Sequence, residues 1–337
     1  GINESVKDIK SPAPFNTTAL IIGGSSIGFT ASKTINIAEN LYMNGYISYP
    51  RTDNTVYPSS IDVKEIARML GSSCEYSRMS EAVLAQKKIV ARRGKRRSTD
   101  HPPIYPTSVA QKASLSGDEW KLYDLIVRRF ICTLLPAAKI KIITATIDID
   151  GESFIANGSN FIERNWIKFY PYYKRRDVFI PQLKKGQILT VSSKELLDKK
   201  TKPPVRYTQG RLVEKMDELG LGTKATRHTI IRNLILRGYV SGNPLHASEK
   251  AIAVVKMLKK HAEKISSPDM TSELEMYMSG IVSGDETKED VVNRSRKMLS
   301  EVMAVLQNEK GEISQEIKKA IREDLVVGKC PGENCNG

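Results

Sequence analysis

Gly45-Tyr46-Ile47-Ser48-Tyr49-Pro50-Arg51-Thr52-Asp53 is the stretch on which the reading of this 337-residue chain turns. Just upstream, Ala31, Ile35, Ala38, Leu41 and Tyr42 recur at helical spacing. Gly45 stands where a C-terminal cap is expected, because glycine enters the left-handed conformation without steric cost. Tyr46 to Tyr49 reads as a short β-like stretch, and Pro50 ends it by removing a backbone donor. Tyr49 is thereby placed at a turn, where a side chain can be presented to a ligand. A tyrosine hydroxyl can attack phosphorus and conserve the phosphodiester energy in a reversible covalent bond. Arg51, two residues on, shares one side of an extended chain with Tyr49 and can stabilise charge on the phosphate. Taken alone, Tyr-x-Arg is a weak signal in a chain with 13 tyrosines, most of which serve as amphipathic packing residues.

Outward from this stretch the texture changes twice. Residues from about 12 to 135 read as mostly helical. From about 136 to 205 the chain alternates like strands: Lys139 to Asp150, Phe154 to Ala156, Trp166 to Tyr170 and Ile188 to Val191, with Asp150-Gly151 as a hairpin turn. Pro203-Pro204 breaks that pattern. From about 208 helices return, with Leu212, Val213, Met216 and Leu219 on one face. Gly220-Leu221-Gly222 is a tight turn, Thr223 is the expected N-cap, and Ile230, Ile231 and Leu234 face a core from the next helix. Gly238 ends that helix, and Tyr239-Val240 through Pro244 reads as a β wing. Helix, glycine turn, helix and wing is the grammar of a helix-turn-helix unit.

Charge narrows the partner. Lys and Arg total 52 against 38 Asp and Glu, a formal +14. That favours a polyanion, usually nucleic acid, because neutralising phosphates releases condensed counterions. No apolar run reaches the roughly 18 residues a membrane helix needs, and no signal-peptide pattern opens the chain. Four cysteines, scattered except for one pair, make no disulfide framework, so a reducing, intracellular setting is expected, with no membrane partner. The chain begins without Met and stops in a turn-like Cys335-Asn336-Gly337, so a piece of a larger protein is expected.

Four blocks in order raise the specificity. The Tyr49 stretch follows Pro14-Phe15-Asn16-Thr17-Thr18 and Gly28-Phe29-Thr30-Ala31. Asp100-His101-Pro102-Pro103-Ile104-Tyr105-Pro106-Thr107 comes next, then Tyr207 to Val240 around Gly220-Leu221-Gly222-Thr223-Lys224-Ala225-Thr226-Arg227, then Met270-Thr271 with Glu275 and Gly284. Together they resemble the type IA DNA topoisomerases over nearly the whole chain. Asn54-Thr55-Val56-Tyr57-Pro58 looks most like the archaeal topoisomerase I branch, with topoisomerase III close to it.

The resemblance implies roles residue by residue. Tyr49 would be the nucleophile that joins the 5′ end of a broken strand, Arg51 would hold the scissile phosphate, and His101 would assist beside it. Asp53 would support the site by hydrogen bonding, and Thr226 and Arg237 match DNA-contacting positions. The sequence departs from the family at Thr223, where many bacterial members carry Arg, and at Gln209, where Glu is usual. Lys224 or Arg227 is expected to supply the missing cation.

An α+β multidomain chain is therefore expected, part of a toroidal type IA core. Residues 1–135 would be a helical gate domain with winged-helix-like units. Residues 136–205 would be a β-rich hinge segment, and 206–325 a helical, winged-helix-like DNA-binding domain. Residues 326–337 would start a zinc ribbon, with Cys330 and Cys335 as half of a Zn2+ site. The implied function is ATP-independent single-strand breakage through a 5′-phosphotyrosine, strand passage and rejoining, by a monomer acting on single-stranded and negatively supercoiled DNA. Mg2+ is expected on a Toprim domain that this sequence does not contain. A non-catalytic single-stranded DNA-binding module is the alternative. It explains the charge and the helix-turn-helix but leaves the Tyr49 and His101 segments without a purpose.

Three further features have plainer readings. The basic run from Lys87 to Arg97 fits either a solvated face or a DNA-facing loop. Tyr170, Tyr172 and Tyr173 beside Lys174, Arg175 and Arg176 fit packing better than base stacking. Asp148, Asp150 and Glu152 imitate a magnesium cluster but are better explained as an exposed hairpin.

Overall fold

In the computed structural model, which describes residues 1–98 and 100–324, the hairpin at Asp150-Gly151 joins β2 (Ala138–Ile149) to β3 (Glu152–Glu163). Asp150 and Gly151 have φ of 53° and 86°, the left-handed pair that matches the twist of a two-residue hairpin. Asp148 accepts the Gly151 N–H, so the acidic group closes the turn. The other edge of this antiparallel sheet is β1 (Ile2–Ile9), paired from Ile2 opposite Ala145 to Ile9 opposite Ala138. The β-rich part thus recruits the first residues of the chain as well as residues 136–163.

Two compact units emerge, one of residues 1–27 and 34–205, the other of residues 28–33 and the chain from Arg206 onward. The first unit contains α1 (Thr17–Ser26), α2 (Ala31–Met43, from residue 34), α3 (Val63–Leu70), α4 (Ser77–Leu84) and α5 (Gly117–Thr133). Its core joins Phe15, Leu20 and Ile21 to Ile35 and Leu41, and to Leu122, Ile126 and Phe130 of α5. α5 starts at a capping box, in which Ser116 and Glu119 satisfy each other's backbone N–H. Gly24 is required where α1 meets α2, because a Cβ there would stand 2.2 Å from Thr34 Oγ1. Arg129 ties the α5 surface down, donating to the Ala13 carbonyl at 2.7 Å with its guanidinium 4.4 Å from the Phe15 ring.

Three expected strands take other forms. Tyr46 to Tyr49 contributes only one bridge, Ile47 to Pro106. Trp166 to Tyr170 lies in a 3-10 turn, Asn165–Phe169, because the buried Trp166 turns its Nε1–H onto the Ile9 carbonyl at 3.0 Å. Ile188 to Val191 forms no strand. Tyr170 is buried against Trp166, and Tyr172 donates to Asp124 at 2.8 Å, so this tyrosine group packs.

The second unit is built from α6 (Gln209–Glu218), α7 (Arg227–Leu236), a small wing of β4 (Val240–Ser241) and β5 (His246–Ala247), and the helices that follow. These are α8 (Glu249–His261), α9 (Glu263–Ser266), α10 (Pro268–Ser283), α11 (Lys288–Asn308) and α12 (Lys310–Asp324). The wing starts where the sequence places it, but its second strand lies at His246–Ala247, past the expected end at Pro244. The start of α7 is also displaced: Thr226, and not Thr223, is the N-cap. Thr223 to Thr226 instead forms a side-chain-closed turn, with Thr226 Oγ1 accepting the Thr223 N–H at 2.8 Å. Gly284 ends α10 in the left-handed conformation. Among the described residues no helix is long and apolar enough to cross a membrane.

Candidate active site

Tyr49 is half-buried between two anchored neighbours. Before it, buried Ser48 takes its backbone N–H to Tyr105 O (2.9 Å) and its hydroxyl to Pro103 O (3.1 Å). After it, the Thr17 hydroxyl donates to Pro50 O at 2.8 Å and accepts the Thr52 N–H at 2.8 Å. Thr52 is fully buried and sends its own hydroxyl to the His101 carbonyl at 3.2 Å. Asn54 donates to Ser98 O (2.8 Å) and His101 O (3.1 Å). Three stretches distant in sequence therefore meet in one hydrogen-bonded frame, completed by the bridge between Phe15 and Ile104.

This frame puts the Tyr49 ring beside exposed His101, centroid to centroid 4.8 Å, and edge-on to Tyr42 at 5.2 Å. Several buried tyrosines of this unit hold their phenol proton tightly. Burial pushes the Tyr123 phenol up to about 12 and raises Tyr57 well above the ordinary phenol value. Burial, reinforced by the Asp124 carboxylate, does the same to Tyr76 and Tyr172.

Arg51 Nε donates to Glu39 Oε1 of α2 at 2.7 Å, and Nη2 lies 2.5 Å from the same atom. One carboxylate oxygen thus orients two arms of the guanidinium. Asp53 lies 3.9 Å from Arg96 Nη1, inside the basic run. That run is stitched to the active-site stretch: Gly94 N–H donates to Thr55 O (2.8 Å), and Thr55 Oγ1 bonds Arg96 O and N–H at 2.8 and 3.0 Å. A basic loop reaching the residues just beyond Tyr49 is more than a remote solvated face. The sequence alone assigns no role to Glu39, Thr17, Thr52 or Arg96. Thr17 and Thr52 lie in motif blocks and Arg96 in the basic run, but nothing in the sequence marks Glu39.

In the second unit, Thr226 and Arg237 are exposed, and Lys224 is half-buried on the turn. Arg227, expected among the DNA-facing cations, is instead 7% exposed. Its guanidinium pairs with Asp217 at 2.6 Å and donates to the Leu221 and Gly222 carbonyls at 3.0 and 2.8 Å. Its charge is spent inside the protein, holding the glycine turn. Gln209 is likewise engaged, accepting the Ala31 N–H at 2.9 Å. Cys330 and Cys335 lie outside the described residues.

The carboxylates next to Tyr49 are Glu39, held by Arg51, and Asp53, near Arg96. Among the described residues neither belongs to a three-residue cluster with metal-ligand spacing, and Asp148 and Asp150 lie on the closed hairpin outside any such cluster.

A helical unit that holds Tyr49 beside His101, a small antiparallel sheet and a helix-turn-helix unit with a wing are the parts that the structure shows. The family model described as DNA topoisomerase matches residues 2–293, and the chain belongs to the type IA DNA topoisomerase family. DNA topoisomerase 1 of Archaeoglobus fulgidus is 45% identical over 326 residues, covering 97% of this chain and 48% of the relative. DNA topoisomerase 1 of Thermoplasma acidophilum is 40% identical, covering 96% of this chain and 42% of the relative. Full-length topoisomerase I from Thermotoga maritima is similar in structure, with a TM-score of 0.70 at 25% identity, covering 90% of this chain and 51% of that one. The chain spans about half the length of these relatives.

Proposed function

We propose that this chain is the cleavage-gate and strand-gripping portion of a type IA topoisomerase, with Tyr49 as its nucleophile. Tyr49 Oη attacks a backbone phosphorus of single-stranded DNA. The Oη–P bond forms as the P–O3′ bond breaks; the phenol gives up its proton and the departing 3′ oxygen takes one up, leaving a 5′-phosphotyrosine and a 3′-hydroxyl. Reversal reseals the strand without ATP, because the phosphodiester energy is kept in the new bond. Arg51, aimed by Glu39, stabilises charge on the phosphate, and His101 sits where it can assist. Asp53 steadies the basic loop through Arg96. Lys224, Thr226 and Arg237 grip the strand, and Arg227 keeps their turn in shape. The intact protein acts as a cytoplasmic monomer on negatively supercoiled DNA. Mg2+ would be held by a Toprim domain of the intact enzyme.

The observation that carries this reading is the frame on both sides of Tyr49, which leaves its ring beside His101 two residues from a tethered Arg51. The test is covalent trapping of labelled single-stranded oligonucleotide by the intact enzyme. Tyr49→Phe removes only the hydroxyl, so binding should persist and adducts vanish. Adducts that survive would remove Tyr49 from its role. Adducts absent from the parent as well would favour a binding module.

A further inference from the structure

The second unit holds a cluster that strand cleavage does not use. His261 ends α8, and its side chain is 3% exposed. α12 presents Glu312 and Glu316 one turn apart on one face. Glu309, the C-cap of α11, contacts His261 Nδ1. On the far side of the ring, Nε2 is buried and has no hydrogen-bond partner. It faces Glu316 Oε2 at 3.6 Å. That is too long for a hydrogen bond, yet close to the roughly 3.4 Å that separates two donors each about 2.1 Å from a tetrahedral metal. One ligand atom from each of His261, Glu312 and Glu316 lies within 4.8 Å of the others, the only such group of three among the described residues.

We propose that His261 Nε2, Glu312 and Glu316 bind a divalent cation of the zinc class. The donor set is one imidazole and two carboxylates, which suits first-row transition metals better than magnesium. A carboxylate at Nδ1 holds the ring proton there and leaves the Nε2 lone pair as a ligand, the outer-shell arrangement that metal-bound histidines use. Lys260 now supplies the positive charge, with Nζ 2.5 Å from Glu312 Oε1 and 2.8 Å from Glu316 Oε1. Its side chain is more than half exposed, so an arriving metal can send the ammonium back to water at small cost. Once bound, the metal clamps α12 to the end of α8.

The test uses the full 337-residue chain carrying Cys330→Ser and Cys335→Ser, so that no paired thiolates compete. It is titrated with Zn2+, Co2+ or Mg2+ alone. One Zn2+ per chain is expected, with slowed hydrogen exchange at the end of α8 and along α12, because a ligand that binds only the folded state stabilises it. Co2+ should give weak tetrahedral bands without thiolate charge transfer, and Mg2+ should not compete. Glu316→Gln should weaken Zn2+ at least tenfold, and Lys260→Met should tighten it severalfold. Lys260→Met changes an exposed residue, so the proposal does not hang on a variant that fails to fold. No uptake by the parent chain, or the same affinity in parent, Glu316→Gln and Lys260→Met, overturns the proposal. The cluster is then a salt-bridge network closed by Lys260.

Discussion

Around Tyr49 the backbone is held by buried hydroxyl and amide side chains from distant stretches, whereas the Gly220–Arg227 turn is held by one buried ion pair and two left-handed glycines. Each bond of the first frame is neutral and worth only about 0.5–1.5 kcal/mol net, but there are many, and they fix position in three dimensions. The second device is concentrated in a single charge. Breaking a buried pair leaves its partner unsolvated at a cost of roughly 3–5 kcal/mol. A nucleophile needs placement to within fractions of an ångström, which a distributed neutral frame supplies without a competing charge beside the phosphate. A turn that presents a helix to a flexible strand needs only to stay closed.

The largest effect expected from this contrast is Arg227→Ala, at about 3–5 kcal/mol against the second unit. The chain has two units, so a single melting temperature is not the right measure. Hydrogen exchange should quicken across α6 and α7 and stay unchanged around Tyr49. Replacing Arg227 and Asp217 together with Met and Leu should recover most of the loss. A mild Arg227→Ala phenotype with weakened DNA binding would return Arg227 to the strand-gripping set.

Arg51→Ala comes next: if Arg51 acts where charge develops, as proposed, cleavage should fall roughly 10²-fold with single-strand binding barely changed. Single-turnover cleavage set beside equilibrium binding checks it. Losses of equal size in both would make Arg51 a clamp and nothing more. Glu39→Gln sharpens the point: if Glu39 only aims the guanidinium, cleavage falls while binding holds or improves.

Thr52→Val tests the neutral frame. The valine cannot donate to His101 O or accept the Asn54 N–H, which Thr52 Oγ1 now does at 3.1 Å. A buried N–H left unsatisfied costs about 1–3 kcal/mol. The first unit should lose that much stability, and adduct formation should fall with it. Full activity in a destabilised Thr52→Val protein would mean the frame holds the fold but does not place Tyr49.

Much of this was legible in the sequence where the signal is local. Gly45 caps α2, Asp150-Gly151 turns the hairpin, and the glycine turn and the start of the wing lie where their residues put them. What escaped depends on partners far along the chain. β1 is an edge strand exposed on both faces, so Ile2–Ile9 shows no alternation to read. Thr52 finds His101 49 residues away, and Asn54 finds Ser98 44 residues away. Arg227 looked like a surface cation because nothing in its neighbourhood announces that Asp217, one helix earlier, needs it. The Tyr49 motif was legible because its residues are adjacent in the chain, while the frame that holds it is written in tertiary structure.

Arg237→Ala is the smallest change expected and the one that best separates gripping from cutting. Arg237 is the C-cap of α7, exposed, with its carbonyl taking the Lys250 ammonium at 2.9 Å. That bond uses the Arg237 backbone, so truncating the side chain leaves the cap and the start of the wing in place. If the guanidinium neutralises a phosphate, removing it should weaken single-strand affinity a few-fold at low salt. It should also flatten the slope of log K against log salt by about 0.7, the increment for one phosphate on single-stranded DNA. The intrinsic cleavage rate of bound DNA should not move, in contrast to Arg51→Ala. An unchanged slope would take Arg237 off the strand, and a slower bound-state cleavage would mean that the grip also sets the geometry at Tyr49.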